Sequence, residues 1–100
     1  MPKLIEYFGF IFYFYSNEHL PVHVHVSHAE YETIFELFFD DGKLIDVQMR
    51  KADGIEMLPQ KDQKEAMKVV EAYADEIAQK WLEFFVLKKK PKIRKITKKL

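Results

Sequence analysis

The segment HLPVHVHVSH, residues 19–28, contains all four histidines of the chain and decides the fold of its first half. Within it, VHVHVS alternates apolar and polar residues strictly, which is the period of a β-strand with two different faces. We expect the three valines on one face and His23 and His25 side by side on the other. His28 stands at odd spacing from His25, so we expect it to face the opposite way.

The residues on either side of this strand predict further strands. FGFIFYFY is aromatic and apolar, which favours a strand, and SNEHLP joins it to VHVHVS as a turn. A tight turn near His28–Glu30 leads into YETIFELFF, DDG is a hairpin signal, and KLIDVQMRK follows as another strand. The first half is therefore predicted to be an antiparallel β-meander of about four strands.

The second half changes to a helical period. Asp62 is a candidate N-cap with Glu65 at the capping-box position. Apolar residues then recur at spacings of three and four: Met67, Val70, Ala74, Ile77, Trp81 and Phe84. This predicts one long amphipathic helix, roughly residues 62–87, that packs on the sheet or shares its apolar face with a partner chain. Glu76 and Lys80 are expected to pair on its solvent side.

Length and composition favour one small domain, and the strand and helix patterns together predict the α+β class. The 100 residues are 48% hydrophobic, which suits a single modest core. We expect the domain to span residues 1–87 and a basic tail to span residues 88–100.

The chain has no cysteine, which excludes disulfides, thiolate nucleophiles and cysteine-bound zinc and fits a reducing, cytoplasmic location. The aromatic run at residues 4–15 contains Glu6 and is too short to cross a membrane.

A formal net charge of zero conceals a strong charge asymmetry. Residues 1–83 carry eight basic and all sixteen acidic residues, whereas residues 84–100 carry the other eight basic residues and no acid. Such asymmetry indicates an interaction tail that contacts nucleic acid phosphates or a protein partner. The alternative is a solvated tail, or one that folds back on the acidic body. The predicted contact residues are Lys88, Lys89, Lys90, Lys92, Arg94 and Lys95.

The histidine pair is a candidate metal site. Two imidazoles at i and i+2 of a strand can bind one divalent ion such as zinc, and His19 in the preceding turn could supply the third ligand. Two other interpretations remain: a hydrogen-bonded cluster that stabilises the fold, with rings stacked on aromatic neighbours, or a half-solvated strand that is rich in histidine by chance. Carboxylates near the pair are Glu18, Glu30 and Glu32.

Other catalytic patterns fit poorly. HVHVSH is close to the alternating pattern of histidine-triad nucleotide hydrolases, but Ser27 occupies the third position. No glycine-rich phosphate loop and no G-x-S-x-G elbow occurs, and Ser16 and Ser27 lack an evident triad. The candidate catalytic residues are therefore His19, His23 and His25.

The same segment resembles the N-terminal signature of the bacterial family called domain of unknown function 4160. That signature is an aromatic-glycine-apolar strand followed by E/D-H-x-P-P-H-x-H. The second proline is replaced here by Val22. DDGKLID and EAYADEIAQKW resemble the family's second hairpin and its helix ending in tryptophan, so the likeness covers roughly residues 4–96. The matching signature residues are Glu18, His19, Pro21, His23 and His25.

The resemblance implies a small bacterial α+β protein without an established activity. It also implies a neighbouring partner from the family called domain of unknown function 2442, in an arrangement like a toxin–antitoxin pair. Together with the basic tail, this favours a binding or interaction module, with a homodimer as a further expectation. The alternative is a small histidine-based or metal-dependent hydrolase acting on a phosphodiester, with His19 as third ligand or general base.

Overall fold

The computed structural model describes residues 2–15 and 21–100, and within them six strands form one sheet. The sheet order is β5-β4-β3-β2-β1-β6, and every neighbouring pair is antiparallel except β1 and β6, which are parallel. An α+β fold is confirmed. The strands are β1 (Lys3–Tyr7), β2 (Phe10–Tyr13), β3 (His23–His28), β4 (Tyr31–Asp40), β5 (Lys43–Lys51) and β6 (Arg94–Ile96), and the helices are α1 (Gln60–Ala72) and α2 (Ala74–Phe85).

The prediction of about four strands was wrong because two strands were missed. The apolar N-terminal run is folded back on itself: Phe8 and Gly9 have φ values of 44° and 87°, which makes a tight turn between β1 and β2. The predicted hairpin at the DDG sequence is confirmed, with Asp41 and Gly42 at φ values of 51° and 77°. The pattern alone did not separate β1 from β2, since aromatic residues continue through the turn.

The sixth strand comes from the basic segment. Arg94–Ile96 lies beside β1, and Ile96 is buried in the core. Lys80 of α2 donates hydrogen bonds to the carbonyl oxygens of Leu4 at 3.1 Å and Lys92 at 2.9 Å, so one ammonium group connects β1 to the residues just before β6. Three residues within a lysine-rich segment carry little strand signal, and parallel pairing with the first strand is a long-range contact that local sequence does not reveal.

The prediction of one long helix was also wrong. Tyr73 lies between α1 and α2 with φ −114° and ψ 21°, although the hydrogen bonds from Tyr73 to Val69 and from Ile77 to Tyr73 continue across the break. The break is a kink. The helix begins after Pro59 without a side-chain cap, so the capping box predicted at Asp62 is wrong.

The apolar stripe of both helices packs on one face of the sheet, as predicted. The buried side chains of the stripe meet core residues of β1, β2, β3 and β4. Neither helix in the described part of the chain has the length and apolar character needed to cross a bilayer. Buried helix residues of this core are Ala66, Val69, Val70, Ala74, Ile77 and Trp81.

Candidate functional site

Strand parity separates the histidines as the sequence predicted. Val24 and Val26 belong to the core beneath the helices, whereas His25 lies between Tyr13 of β2 and Ile34 of β4 on the opposite face. His28 lies on the helix side, where its ring stacks on Phe10 with centroids 4.2 Å apart. The predicted separation of His28 from the pair is therefore observed.

One buried carboxylate organises the face that carries His25. Glu32 of β4 accepts hydrogen bonds from the hydroxyl groups of Tyr13 and Tyr15, the latter at 3.2 Å. The Nδ1 atom of His25 donates to the same carboxylate at 3.2 Å. We call Tyr13, Tyr15, His25 and Glu32 the Glu32 cluster. Three donors from two other chain segments thus converge on one acceptor.

Three of the four residues of the Glu32 cluster are buried, and Tyr15 is partly buried. His25 is 3% exposed and Glu32 5% exposed. The Tyr15 ring packs against His25 with centroids 3.9 Å apart, and the Tyr13 ring stacks on His25 with centroids 5.5 Å apart. Burial and the hydrogen bond to Glu32 raise the pKa of Tyr13 well above its ordinary value, so its hydroxyl remains a donor. A buried carboxylate with this many donors is a stabilising arrangement.

His23 is the second buried histidine. It is 4% exposed, and its Nδ1 atom donates to the carbonyl oxygen of Pro21 at 2.7 Å. The rings of His23 and His25 are 5.6 Å apart. Because both Nδ1 atoms donate to protein acceptors, a metal would have to be bound through the Nε2 atoms.

The predicted three-histidine zinc site stays a prediction. Glu18 and His19 lie outside the described residues, so the third ligand has no position here. Among residues 2–15 and 21–100, no group of three or more His, Asp or Glu side chains is placed to hold a metal ion. Glu30 is exposed, and Glu32 faces His25.

The basic segment presents its lysines to solvent. Its one arginine, Arg94, donates to Glu76 of α2 at 2.6 Å and lies over the Tyr73 ring at 5.6 Å. Arg94, one of the six predicted contact residues, is therefore bound to α2. The seven lysines of the segment are exposed, and none forms an ion pair with a described residue: Lys88, Lys89, Lys90, Lys92, Lys95, Lys98 and Lys99.

The end of the chain returns to the first hairpin. The Lys99 ammonium group lies 4.7 Å from the centroid of the Phe8 ring, and the backbone N–H of Leu100 donates to the Tyr7 hydroxyl at 3.2 Å. The segment is therefore held at several points along its length rather than extending from the body. In its second half the segment thus matches the alternative stated above, a tail that folds back on the body.

Sequence reasoning did not identify Tyr13 and Tyr15 as partners of Glu32. Glu32 was considered only as a carboxylate near the histidines. The available signal was the alternation of tyrosines with phenylalanines in FIFYFY, which places the tyrosines on the histidine face once β2 and β3 pair. The register that aligns Tyr13 with His25 depends on the loop between them, so spacing alone could not give it.

Comparisons with known proteins agree with the family resemblance described above. No curated protein and no solved structure matches the chain. The family model described as Domain of unknown function (DUF4160) matches residues 9–82 of the 100 residues. The match runs from the β1–β2 turn to α2 and includes every residue of the Glu32 cluster. The chain therefore belongs to the DUF4160 family.

Proposed function

We propose that the protein is an interaction module that binds nucleic acid phosphates through its C-terminal segment, residues 88–100. The observation that carries the proposal is the row of seven exposed lysines without an ion-pair partner among the described residues. In the body, Arg50, Lys68 and Lys80 each pair with a glutamate, and the exposed lysines that form no ion pair with a described residue are spread over three different elements rather than gathered in one segment. Exposed lysines that form no ion pair with a described carboxylate are available to displace counterions from a phosphate backbone.

The attachment of the C-terminal segment to the body supports this proposal. Pairing of β6 with β1, together with the Arg94–Glu76 ion pair, holds the lysines near one sheet edge. A held segment loses less conformational entropy on binding than a free tail does. The exposed lysines carry no fixed arrangement of planar donors for reading bases, so we expect binding that is insensitive to sequence.

The test compares two variants with the same loss of charge. In the first, Lys89, Lys90, Lys92, Lys95 and Lys98 are replaced by Gln. In the second, five exposed body lysines are replaced by Gln: Lys3, Lys43, Lys51, Lys61 and Lys64. Fluorescence anisotropy at low salt, with labelled single-stranded RNA and duplex DNA, should show at least about tenfold weaker binding for the first variant. Equal loss in both variants would exclude a specific role for the segment.

A protein partner is the other proposal for this segment, since the family resemblance suggests a toxin–antitoxin-like arrangement with a domain of unknown function 2442 protein. An acidic partner would use the same lysines. Co-expression with the product of the neighbouring gene would give a stable complex in that case. A complex that survives nuclease treatment and is lost in the segment variant would replace nucleic acid by protein as the ligand.

The alternative function, a histidine-based or zinc-dependent phosphodiester hydrolase, is favoured by one observation. Glu32 holds Nδ1 of His25 at 3.2 Å, and a carboxylate that orients an imidazole in this way is common in acid–base catalysis. A substrate would have to displace the Tyr15 ring to reach His25. Hydrolysis of a chromogenic phosphodiester by untagged protein, with added zinc or with chelator, tests it. Activity that His25→Asn abolishes in a folded variant would support the hydrolase.

A further inference from the structure

We propose that β5 is a self-pairing edge, through which two copies of the chain join their sheets in antiparallel register with Val47 of one copy opposite Met49 of the other. β5 is nine residues long and is the terminal strand in the sheet order. An edge strand of this length offers backbone donors and acceptors to another strand. Ile45 and Met49 on this strand are 66% and 40% exposed, which adds apolar surface at the edge.

The direction of the backbone groups identifies which residues face the free edge. The backbone N–H of Leu37 in β4 donates to the carbonyl oxygen of Val22, on the side of β3, at 2.8 Å. In an antiparallel sheet the N–H and C=O of one residue point to the same neighbour, so Leu37 and its partner Val47 do not bond to each other. The backbone groups of Val47 therefore point away from β4, and those of Met49, two residues on, do the same.

The side chain of Asp46 already binds one of the backbone groups at this edge. Asp46 Oδ1 accepts the N–H of Val47 at 2.9 Å, which agrees with the outward direction of that N–H. Such a contact protects an edge in the isolated chain, and a second strand would replace it with a carbonyl oxygen. Asp46 would then be released to meet a partner across the new strand pair.

Charge complementarity selects one register. With Val47 opposite Met49, the two-fold axis passes Gln48, and Asp46 of each copy lies opposite Arg50 of the other, giving two opposite-charge pairs. Arg50 also pairs with Glu36 of its own chain at 3.3 Å, so each Arg50 would lie between two carboxylates. Moving the axis to Val47 would place Lys43 opposite Lys51, and moving it to Met49 would place Asp46 opposite Ala52. The proposed register is therefore the one of these three that pairs both charges.

The apolar face of the same register also fits. Val47 and Met49 are aligned with the core residues Leu37 and Phe35, so they lie on the helix side of the sheet. An open pocket of about 300 Å³ adjoins this edge, lined by Met49 of β5 and by Met67 and five polar or charged residues of α1. Side chains of a second β5 would lie against this opening, so an apolar contact accompanies the two charge pairs.

Charge reversal tests the dimer and its register together. Wild-type protein should show a concentration-dependent monomer–dimer equilibrium in analytical ultracentrifugation. Asp46→Arg and Arg50→Asp should each weaken self-association at least about tenfold, because each places like charges opposite each other. An equimolar mixture of the two variants should form a one-to-one heterodimer, detected by native mass spectrometry, because opposite charges then face each other at both positions.

Two controls keep the result interpretable. Asp75→Arg makes the same charge change at an exposed position on α2 and should leave dimerisation unchanged. Circular dichroism should show the wild-type fold in every variant. A wild-type protein that remains monomeric at all concentrations would overturn the dimer, and variants that dimerise as strongly as wild type would overturn the register.

Discussion

At the residue scale, Glu32 determines the character of the histidine face. It accepts hydrogen bonds from Tyr13, Tyr15 and His25 while almost completely buried. These donors come from different parts of the chain, so the carboxylate fixes how the segment after β2 lies against β3 and β4. The histidines that first suggested chemistry therefore lie within the interior of the fold.

Replacing Glu32 by Gln should be strongly destabilising. An amide carries fewer acceptor sites than a carboxylate and adds donors, so at least one buried donor loses its acceptor. We expect the free energy of unfolding in urea denaturation to fall by about 1–3 kcal/mol for each donor left unsatisfied. Glu36→Gln on the same strand is the matched control, and its partly exposed pair with Arg50 should cost less than about 1 kcal/mol. Similar effects for both variants would contradict the role of the cluster.

Tyr13 should make stability sensitive to alkaline pH. Burial and Glu32 raise its pKa in the folded protein, so above about pH 10 the unfolded chain loses this proton while the folded chain retains it. The contribution of Tyr13 to the free energy of unfolding is fully present below that pH and declines as pH rises further. The free energy of unfolding, measured with denaturant as pH is raised above about 10, should fall more steeply for wild type than for Tyr13→Phe. Parallel curves would show that Tyr13 ionises equally in both states.

At the element scale, Glu76 connects α2 to β6. It pairs with Lys80 at 3.1 Å and with Arg94 at 2.6 Å. Burial opposes ionisation of this carboxylate, but the hydrogen bonds from Arg94 and Lys80 outweigh that effect and lower its pKa. The basic segment is thus held to the body by an ion pair as well as by strand pairing.

Docking of β6 should therefore weaken in acid. A carboxylate with a lowered folded-state pKa stabilises the fold above its unfolded pKa, about 4.3 for Glu, and loses this contribution as pH falls through the folded value. Hydrogen exchange at β6, corrected for the intrinsic effect of pH, should accelerate over that range. Glu76→Gln should already exchange faster at neutral pH, whereas Glu71→Gln, at an exposed position on α1, should match wild type. Protection unaffected by Glu76→Gln would exclude the ion pair as an anchor.

Elements with a clear period were predictable, and those fixed by distant contacts were not. Alternation in VHVHVS gave β3 and its two faces, and DDG gave the β4–β5 hairpin. The apolar stripe predicted which face of the helices packs on the sheet, but it did not predict the kink at Tyr73. The helical hydrogen bonds continue across Tyr73, so the helical period of the sequence is not interrupted there. The β6 strand depends on pairing with β1, more than eighty residues earlier in the chain, and nothing in its local sequence specifies that contact.

The candidate site was predictable to a similar extent. Strand parity paired His23 with His25 and separated His28 from them, which the structure confirms. Whether the pair is open or sealed depends on Tyr13 and Tyr15, whose positions follow from tertiary register. A polar face of a strand looks the same in sequence whether water or a second layer of side chains covers it.

At the scale of the whole molecule, charge is segregated although its net value is zero. The acidic residues lie in the body, and the seven exposed lysines lie near the β6 edge, at the opposite end of the sheet from β5. A molecule with this distribution can bind an anionic polymer at one sheet edge and a second copy at the other. The two proposals involve different strands, so each can fail without the other.

The salt dependence of nucleic acid binding tests the proposed function most directly. For the wild-type protein, the logarithm of the association constant for single-stranded RNA should fall linearly with the logarithm of salt concentration, by about 0.7 for each phosphate contacted. The variant with five segment lysines replaced by Gln should have a markedly shallower slope, and the matched body variant should keep the wild-type slope. A wild-type protein that does not bind at low salt, or equal slopes in all three proteins, would contradict binding through residues 88–100.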